Sequence, residues 1–486
     1  MESIQSENND SMIFKKISYL ASMLLITTGG FADQKSPTVV VVGAGIAGLT
    51  TAYRLYQKGV EVQVYEARDR VGGRIFTAKV GGNIAELGGQ NITDGGKAEN
   101  LHRFIDEFCL ELTENRVNLN HYYFDGETLT PGHLLNKKEF DHENLKSQLD
   151  DIAQKSNNMR DVLTELLDEQ SPFYKTLSVR LAAYEGASVE KLSPLYVNTL
   201  YYMILGGLCS VHQGGDNEEN YVDLVSIKGG NALLPEKLAR SLGERVHLDM
   251  PLVAVSKSLD GSYDLSFQNG QKTKADILVL AIPCSVYSDI VFEEGLIPEE
   301  KLKSIKNVQY GTNAKLLVPF SKPPLKRKTF INDRIVSFFN ADRKILILYY
   351  TGEAGKFSSD SILEAYQQNR PMLENGLGDV CPPLVVPMVA RDESLVSYEG
   401  PVGYSWPNDP YVKGSYSYIA PGQEALLTAI QSEGEEIVKT LFTPIDQSLY
   451  FAGEHASILM DVPGTMEAAC ESGERVARMI EKSITT

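Results

Sequence analysis

The first apolar run with a clear period begins at residue 38. Residues 38–42 are all β-branched, which predicts a strand buried on both faces of a parallel sheet. Gly43-Ala44-Gly45-Ile46-Ala47-Gly48 follows at once, and Ile46, Leu49 and Tyr53 then recur at helical spacing until Gly59. That pattern predicts a helix stopped by glycine. Residues 60–65 alternate as a second strand ending at Glu66. Farther on, residues 246–256 and 263–267 read as strands separated by the Asp260-Gly261 turn. Residues 277–282 read as another buried strand ending at Pro283. Residues 111–221 are glycine-poor with polar helical stretches at 143–156 and 159–169, which predicts a mostly helical cap. Residues 313–413 alternate strands with proline-rich turns. Near the other end, 449–451 is strand-like, and Met466, Ala469, Cys470, Gly473, Val476, Ala477 and Ile480 mark one helical face. Glu467 and Glu471 come early in that helix and Arg475 and Arg478 late, as its dipole favours.

A glycine-rich turn alone says little. Here it sits between a strand and a helix, with Glu66 placed 23 residues after Gly43, and that context describes a dinucleotide site. Gly43 permits the tight turn, Gly45 lets backbone N–H groups approach a pyrophosphate, and Gly48 allows close helix–strand packing. The helix amino terminus adds positive partial charge for phosphates. Glu66 would accept hydrogen bonds from ribose hydroxyls and repel a 2′-phosphate.

Directly after Glu66 comes Ala67-Arg68-Asp69-Arg70-Val71-Gly72-Gly73-Arg74. This second glycine pair with flanking arginines offers another grip on a pyrophosphate. The V-G-G-R extension, the turn Glu86-Leu87-Gly88-Gly89-Gln90 and the segment Phe451-Ala452-Gly453-Glu454 resemble the flavin-binding amine oxidase superfamily. That family includes monoamine, polyamine and L-amino-acid oxidases. The resemblance spans residues 37–482 and is strongest at its two ends. It implies an α/β fold, in which a discontinuous Rossmann-like FAD-binding domain (37–110, 222–312 and 414–482) carries an inserted α+β substrate-binding domain (111–221 and 313–413).

The same resemblance implies site residues. Gly43, Gly45, Ile46, Ala47, Gly48, Glu66, Ala67, Arg68, Gly73 and Arg74 would hold the dinucleotide. Leu87, Gly88, Gly89 and Gln90 would lie beside the isoalloxazine. Val253 fits an adenine contact, with Leu252 or Val255 if the register slips. Trp406, Gly453, Glu454, Gly464, Thr465 and Met466 complete the cofactor set. Monoamine oxidases carry a flavin-linked cysteine in a Gly-Cys-Tyr stretch that reads Gly414-Ser415-Tyr416 here, so the FAD is expected to be non-covalent.

The candidate catalytic residues are Lys315, Tyr416 and Thr465. By strand context alone Lys315 reads as a snorkelling surface lysine; the resemblance places it near flavin N5. Tyr416 matches an aromatic residue flanking the amine, while Thr465 stands where a second tyrosine is expected. Read without the resemblance, Tyr416 and Trp406 are equally well core aromatics. The implied chemistry is oxidation of a primary amine or polyamine, a small cation, to an imine, with O2 reduced to hydrogen peroxide. An L-amino-acid oxidase is the alternative. It needs an arginine for the substrate carboxylate, yet Gln90-Asn91-Ile92 follows the glycine turn, leaving Arg334 or Arg343 for that task. A flavin-dependent desaturase or a catalytically silent flavoprotein is a further reading.

Composition narrows the partners. The 486 residues hold 46 Lys and Arg against 64 Asp and Glu, a net charge of −18, which argues against nucleic-acid binding. Five scattered cysteines and seven histidines show neither a disulfide framework nor metal-ligand spacing. Lys15-Lys16, the apolar residues 17–26 and Gly30-Phe31-Ala32 describe a signal peptide over residues 1–32, with Met12 as a more regular start. Export to a bacterial periplasm or medium is therefore expected, with membrane contact only through an uncleaved signal. A homodimer is left open. Without residues 1–32, 44 basic and 61 acidic side chains remain, so the acidity belongs to the folded body.

Overall fold

The computed structural model describes residues 37–485 apart from 93–96, 115–120, 136–139, 142, 206–223, 321, 323–328, 341, 343, 358–360, 378–388, 393–394 and 461. The signal-peptide reading, Cys209, Cys381 and Arg343 lie outside the described residues. Thr38–Thr486 form one compact unit.

Five parallel strands lie in the spatial order Leu449–Phe451, Ile277–Leu280, Val39–Val42, Val62–Tyr65 and Val246–His247. The central strand is buried at all four residues. Val39 and Val41 face one apolar core and Val40 and Val42 another, which is why the run is unbroken rather than alternating. The first core contains the helices Ile46–Gln57, Leu233–Leu242 and Met466–Thr485. The second contains an antiparallel sheet of Leu252–Lys257, Tyr263–Phe267 and Lys272–Ala275, with Val291–Phe292 added in parallel beside Leu252–Lys257. Residues far apart in sequence thus meet: Leu449–Phe451 pairs with Ile277–Leu280, beside the first strand.

One expected strand is two. Residues 246–256 break after Val246–His247, because Asp249 adopts a left-handed backbone (φ 56°) and Pro251 lacks a donor. The chain leaves the parallel sheet there and enters the antiparallel one as Leu252–Lys257. At the break, Asp249 N–H donates to the Arg68 carbonyl (2.9 Å) and Met250 N–H to that of Glu66 (2.8 Å).

The cap also differs from expectation. Its helices Leu145–Ala153, Met159–Leu166, Pro172–Glu185 and Val197–Leu205 share one apolar core. Their limits follow local chemistry: Ser171 accepts from Tyr174 N–H ahead of Pro172, and Gly186 (φ 94°) ends the helix. Strands His121–Phe124 and Leu129–Pro131, however, leave the cap and extend a seven-stranded sheet. The rest of that sheet is Thr329–Ile331, Ile335–Phe339, Ile345–Tyr350, Ala314–Pro319 and Val402–Ser405. The same stretch holds an unexpected helix, Ile362–Leu377, with Pro371 inside it. Leu395–Tyr398 pairs with Thr77–Val80, so the two groups of segments are stitched by a shared sheet.

Candidate active site

A cavity of about 2230 Å³ opens where the parallel strands end. Single drug-sized pockets run to roughly 300–1,000 Å³, so this one has room for a dinucleotide and a second molecule. Every residue named above as cofactor-binding or catalytic lines it, except Gly48 and Leu87. Both of these act from behind the wall. A Cβ on Gly48 would stand 2.0 Å from the Gly43 carbonyl oxygen and 3.1 Å from Ala281 Cβ, so its glycine serves packing. The Leu87 carbonyl accepts from Trp406 Nε1 at 3.1 Å, fixing the indole.

Gly45 has the opposite environment. Its backbone is ordinary (φ −70°, ψ 173°), and a Cβ there would meet no protein atom within 4 Å. Nothing in the protein requires glycine at this position; a ligand lying against the loop would. Glu66 is buried and accepts from Ala44 N–H (2.7 Å) and Arg68 N–H (3.1 Å), which fixes its carboxylate against the glycine loop. Arg68 is held by Asp409 at 2.5 Å. In the strand Leu252–Lys257 the ladder skips Val253 at a bulge, and Leu252 and Val253 line the cavity whereas Val255 is fully buried in the core.

Glu454 anchors the far segment. It accepts from Arg74 Nη1 (2.9 Å), Ser417 N–H (3.1 Å) and the Ser417 hydroxyl (2.6 Å). Burial by itself would raise this carboxyl; Arg74, His455 and the Ser417 bonds outweigh it and hold the group below its usual range. Burial pushes His455 down to about 4, so the imidazole is neutral near pH 7. Two buried polar atoms on the cavity wall, Ser415 Oγ and His455 Nε2, have no protein partner. Such atoms are paid for only when something else bonds to them.

Lys315 is a buried cation in the wall of the site. It lies in the buried strand Ala314–Pro319 and is only 6% exposed, not the snorkelling surface lysine that strand context suggests. Its ammonium donates to the carbonyls of Gly88 (2.6 Å) and Glu86 (3.1 Å) and to Gln90 Oε1 (3.3 Å). Tyr349 is its cross-strand neighbour, and the ammonium lies 5.9 Å from that ring. Tyr416 is fixed from three sides. Its hydroxyl lies 2.7 Å and 2.8 Å from the Ala183 and Tyr184 carbonyls and accepts from Asn313 Nδ2 at 2.8 Å. A Cβ on Gly186 or Gly464 would come within 2.9 Å of its ring. Thr465 holds the start of the last helix. Its hydroxyl donates to Val462 O (2.8 Å) and accepts from Ala468 N–H (3.1 Å), so it caps the helix Met466–Thr485. It brings a helix start to the cavity rather than a second ring.

Several wall residues carry no sequence signal of a site. Arg180 and Glu185 lie on the helix Pro172–Glu185, are nearly buried and line the cavity; Val336, Phe338 and Tyr349 line it from the large sheet. Arg334 lies elsewhere, bonded to Gln368 on an exposed face. Leu195, Tyr202 and Met460 line the cavity where it opens to solvent, each about half exposed.

Comparison with known proteins fits this geometry. The family described as flavin containing amine oxidoreductase matches residues 46–480. The chain belongs to that family. It is 27% identical over 479 residues to human amine oxidase [flavin-containing] B, covering 91% of this chain and 85% of that protein. Cyclohexylamine oxidase from Brevibacterium oxydans IH-35A superposes with a TM-score of 0.71 at 19% identity, over 93% of this chain and all of the other. Putrescine oxidase bound to putrescine gives 0.70 at 19% identity, over 92% and 99%.

As a flavin-containing amine oxidoreductase the protein uses FAD, held without a covalent bond, and the residues present fit it. The open Gly45 and the bonded Glu66 form a cradle suited to a ribose and a pyrophosphate, and the orphaned Ser415 Oγ and His455 Nε2 offer further polar contacts elsewhere on the same cavity wall. Ser415 stands where a flavin-linked cysteine would be, so no thioether forms there. Among the described residues, no group of three or more His, Cys, Asp or Glu would hold a metal. Likewise, no described helix is long and apolar enough to cross a membrane.

Proposed function

We propose that the protein oxidises the C–N bond of a primary amine or polyamine to an imine, which water converts to an aldehyde and ammonia or a shorter amine, while O2 becomes hydrogen peroxide. The observation that carries this reading is the buried Lys315 ammonium, 2.6 Å from the Gly88 carbonyl in the wall of the cavity that also holds the glycine loop. When bound, FAD supplies the two-electron acceptor for the hydride leaving the carbon beside nitrogen and returns those electrons to O2.

The chain's own groups prepare the substrate. Phe338, Tyr349 and Tyr416 give an aromatic chamber, and removal from water lowers an amine's pKa. A cationic amine therefore gives up its proton to water as it enters, and the neutral amine is the reactive form. The Tyr416 ring, fixed by Asn313 and the cap carbonyls, presents an immobile π-surface to the nitrogen. Leu195, Tyr202 and Met460 at the mouth suit an amine with an apolar body.

One observation favours a second reading, oxidation of an L-amino acid. Arg180 is an arginine on the cavity wall one helical turn from Ala183 and Tyr184, whose carbonyls meet Tyr416, and a guanidinium suits a carboxylate. A peroxide assay of the yellow holoprotein on alkyl and aryl amines, polyamines and L-amino acids separates the two. Amines should give peroxide; peroxide from amino acids alone would transfer the reading to the second. We also propose export by way of residues 1–32. Sequencing the mature amino terminus tests it, and a chain starting before Met12 would exclude it.

A further inference from the structure

Beneath the glycine turn lies a carboxyl group that the chemistry above does not use. Glu86 ends the strand Asn83–Glu86 and is buried. Its Oε1 accepts from Asn231 N–H (2.8 Å) and its Oε2 from the Thr77 hydroxyl (2.8 Å). Asn231 itself donates to the carbonyls of Gly89 (3.0 Å) and Gln90 (2.8 Å). From the opposite side Lys315 donates to the carbonyls of Glu86 and Gly88. Residues 86–90 are thus held between a buried acid and a buried base. Thr77 and Asn231 are neutral, and Lys315 is the charged group whose field reaches Glu86. The ammonium is satisfied by its three oxygen acceptors at Glu86, Gly88 and Gln90, and its charge in turn favours the ionised form of Glu86.

We propose that Glu86 is a positioning residue for the glycine turn above Lys315: its carboxyl group anchors that turn from below, and its protonation sets the net charge beside the Lys315 ammonium. Burial raises the Glu86 carboxyl to about 7, against the opposing pull of the Asn231 and Thr77 bonds and of Lys315. The acid therefore changes charge within the working range of most enzymes. Below that pH the pair carries one positive charge; above it, none. A positive charge next to the ring would favour uptake of electrons, so reduction becomes easier on the acid side.

The proposal rests on the amine-oxidase reading for its role in catalysis, and its test does not. The midpoint potential of the bound flavin is measured by dye equilibration from about pH 5 to about pH 9, alongside its anaerobic reduction by an amine active in the peroxide screen. The wild type should show an inflection near neutrality in both. Glu86→Gln, with FAD retention judged from the flavin absorbance, should lose the inflection, follow only the proton-coupled slope of flavin reduction itself, and lie above the wild-type potential on the alkaline side. Thr77→Val removes one donor to the carboxylate and leaves every charge in place; it should move the inflection to higher pH. A merely structural Glu86 would leave the inflection where it is in both variants, and that result, or no inflection in the wild type, would overturn the proposal. Should Glu86→Gln not retain FAD, the Thr77→Val shift decides. If no amine reduces the flavin, the functional reading fails and the potential still reports on Glu86.

Discussion

Lys315 shows how one side chain couples two parts of the fold. It grows from a strand of the large sheet, yet its ammonium reaches across to the Glu86 and Gly88 carbonyls and Gln90 Oε1, all within residues 86–90. Replacing it by methionine keeps the length and apolar stem but removes every donor. The Gly88 and Glu86 carbonyls then lose their charged partner, which costs stability of about 1–3 kcal/mol. Contacts of the dinucleotide end, at Glu66, Arg74 and Glu454, are untouched, so Lys315→Met should retain FAD. Its flavin reduction or reoxidation, followed by stopped-flow absorbance, should slow by about 10²-fold. Turnover equal to wild type would remove Lys315 from the mechanism. The lysine was legible only through its motif, because a single charge within an apolar strand has no period of its own. Arg180 lacked even a motif, sitting among apolar residues on a helix buried nearly all round. Thr465 was legible in position, directly before the helical face that begins at Met466, and its hydroxyl caps that helix.

At the scale of elements, legibility followed burial. The strand Val39–Val42 and the face of the last helix could be read because each packs on a continuous core. The break at residues 249–251 and the helix Ile362–Leu377 could not, since one depends on a left-handed aspartate and the other keeps an internal proline. Pairings such as Leu395–Tyr398 with Thr77–Val80 join strands hundreds of residues apart, and no local pattern announces them. Two glycines test what was read. A Cβ on Gly473 would lie 2.4 Å from the Ala47 carbonyl oxygen and 2.9 Å from Thr50 Cβ, where the last helix crosses Ile46–Gln57. Gly473→Ala should therefore push the helices apart and destabilise the apoprotein by about 1–3 kcal/mol. Gly45→Ala meets no protein atom and no backbone strain, so its melting temperature should match wild type while its FAD affinity falls. Thermal melts of the apoproteins and FAD titration separate the two effects. A stable Gly473→Ala would deny the close crossing, and unaltered FAD affinity in Gly45→Ala would deny that the cofactor lies on this loop.

Over the whole molecule, charge is distributed unevenly. The net charge is −18, yet the cavity wall carries more basic than acidic side chains: Arg68, Arg74, Lys146, Arg180, Lys315, Lys413 and Lys439 against Glu66, Glu114, Glu185, Asp289 and Glu454. That balance suits a pyrophosphate inside, and it leaves the excess acidity on the outer surface. Attraction of a cationic amine must then act over distance, where salt screens it beyond roughly 10 Å at 0.1 M. Once inside, the amine meets aromatic rings and sheds its proton, so the chemical step should not sense salt. For a substrate amine that is protonated in solution, kcat/KM should fall severalfold on raising salt from about 0.02 M to about 0.5 M, with kcat unchanged. A weakly basic amine, neutral at the assay pH, should show no such fall. If both amines respond alike, the surface acidity serves solubility alone, and selection for amines lies wholly within the chamber formed by Phe338, Tyr349 and Tyr416.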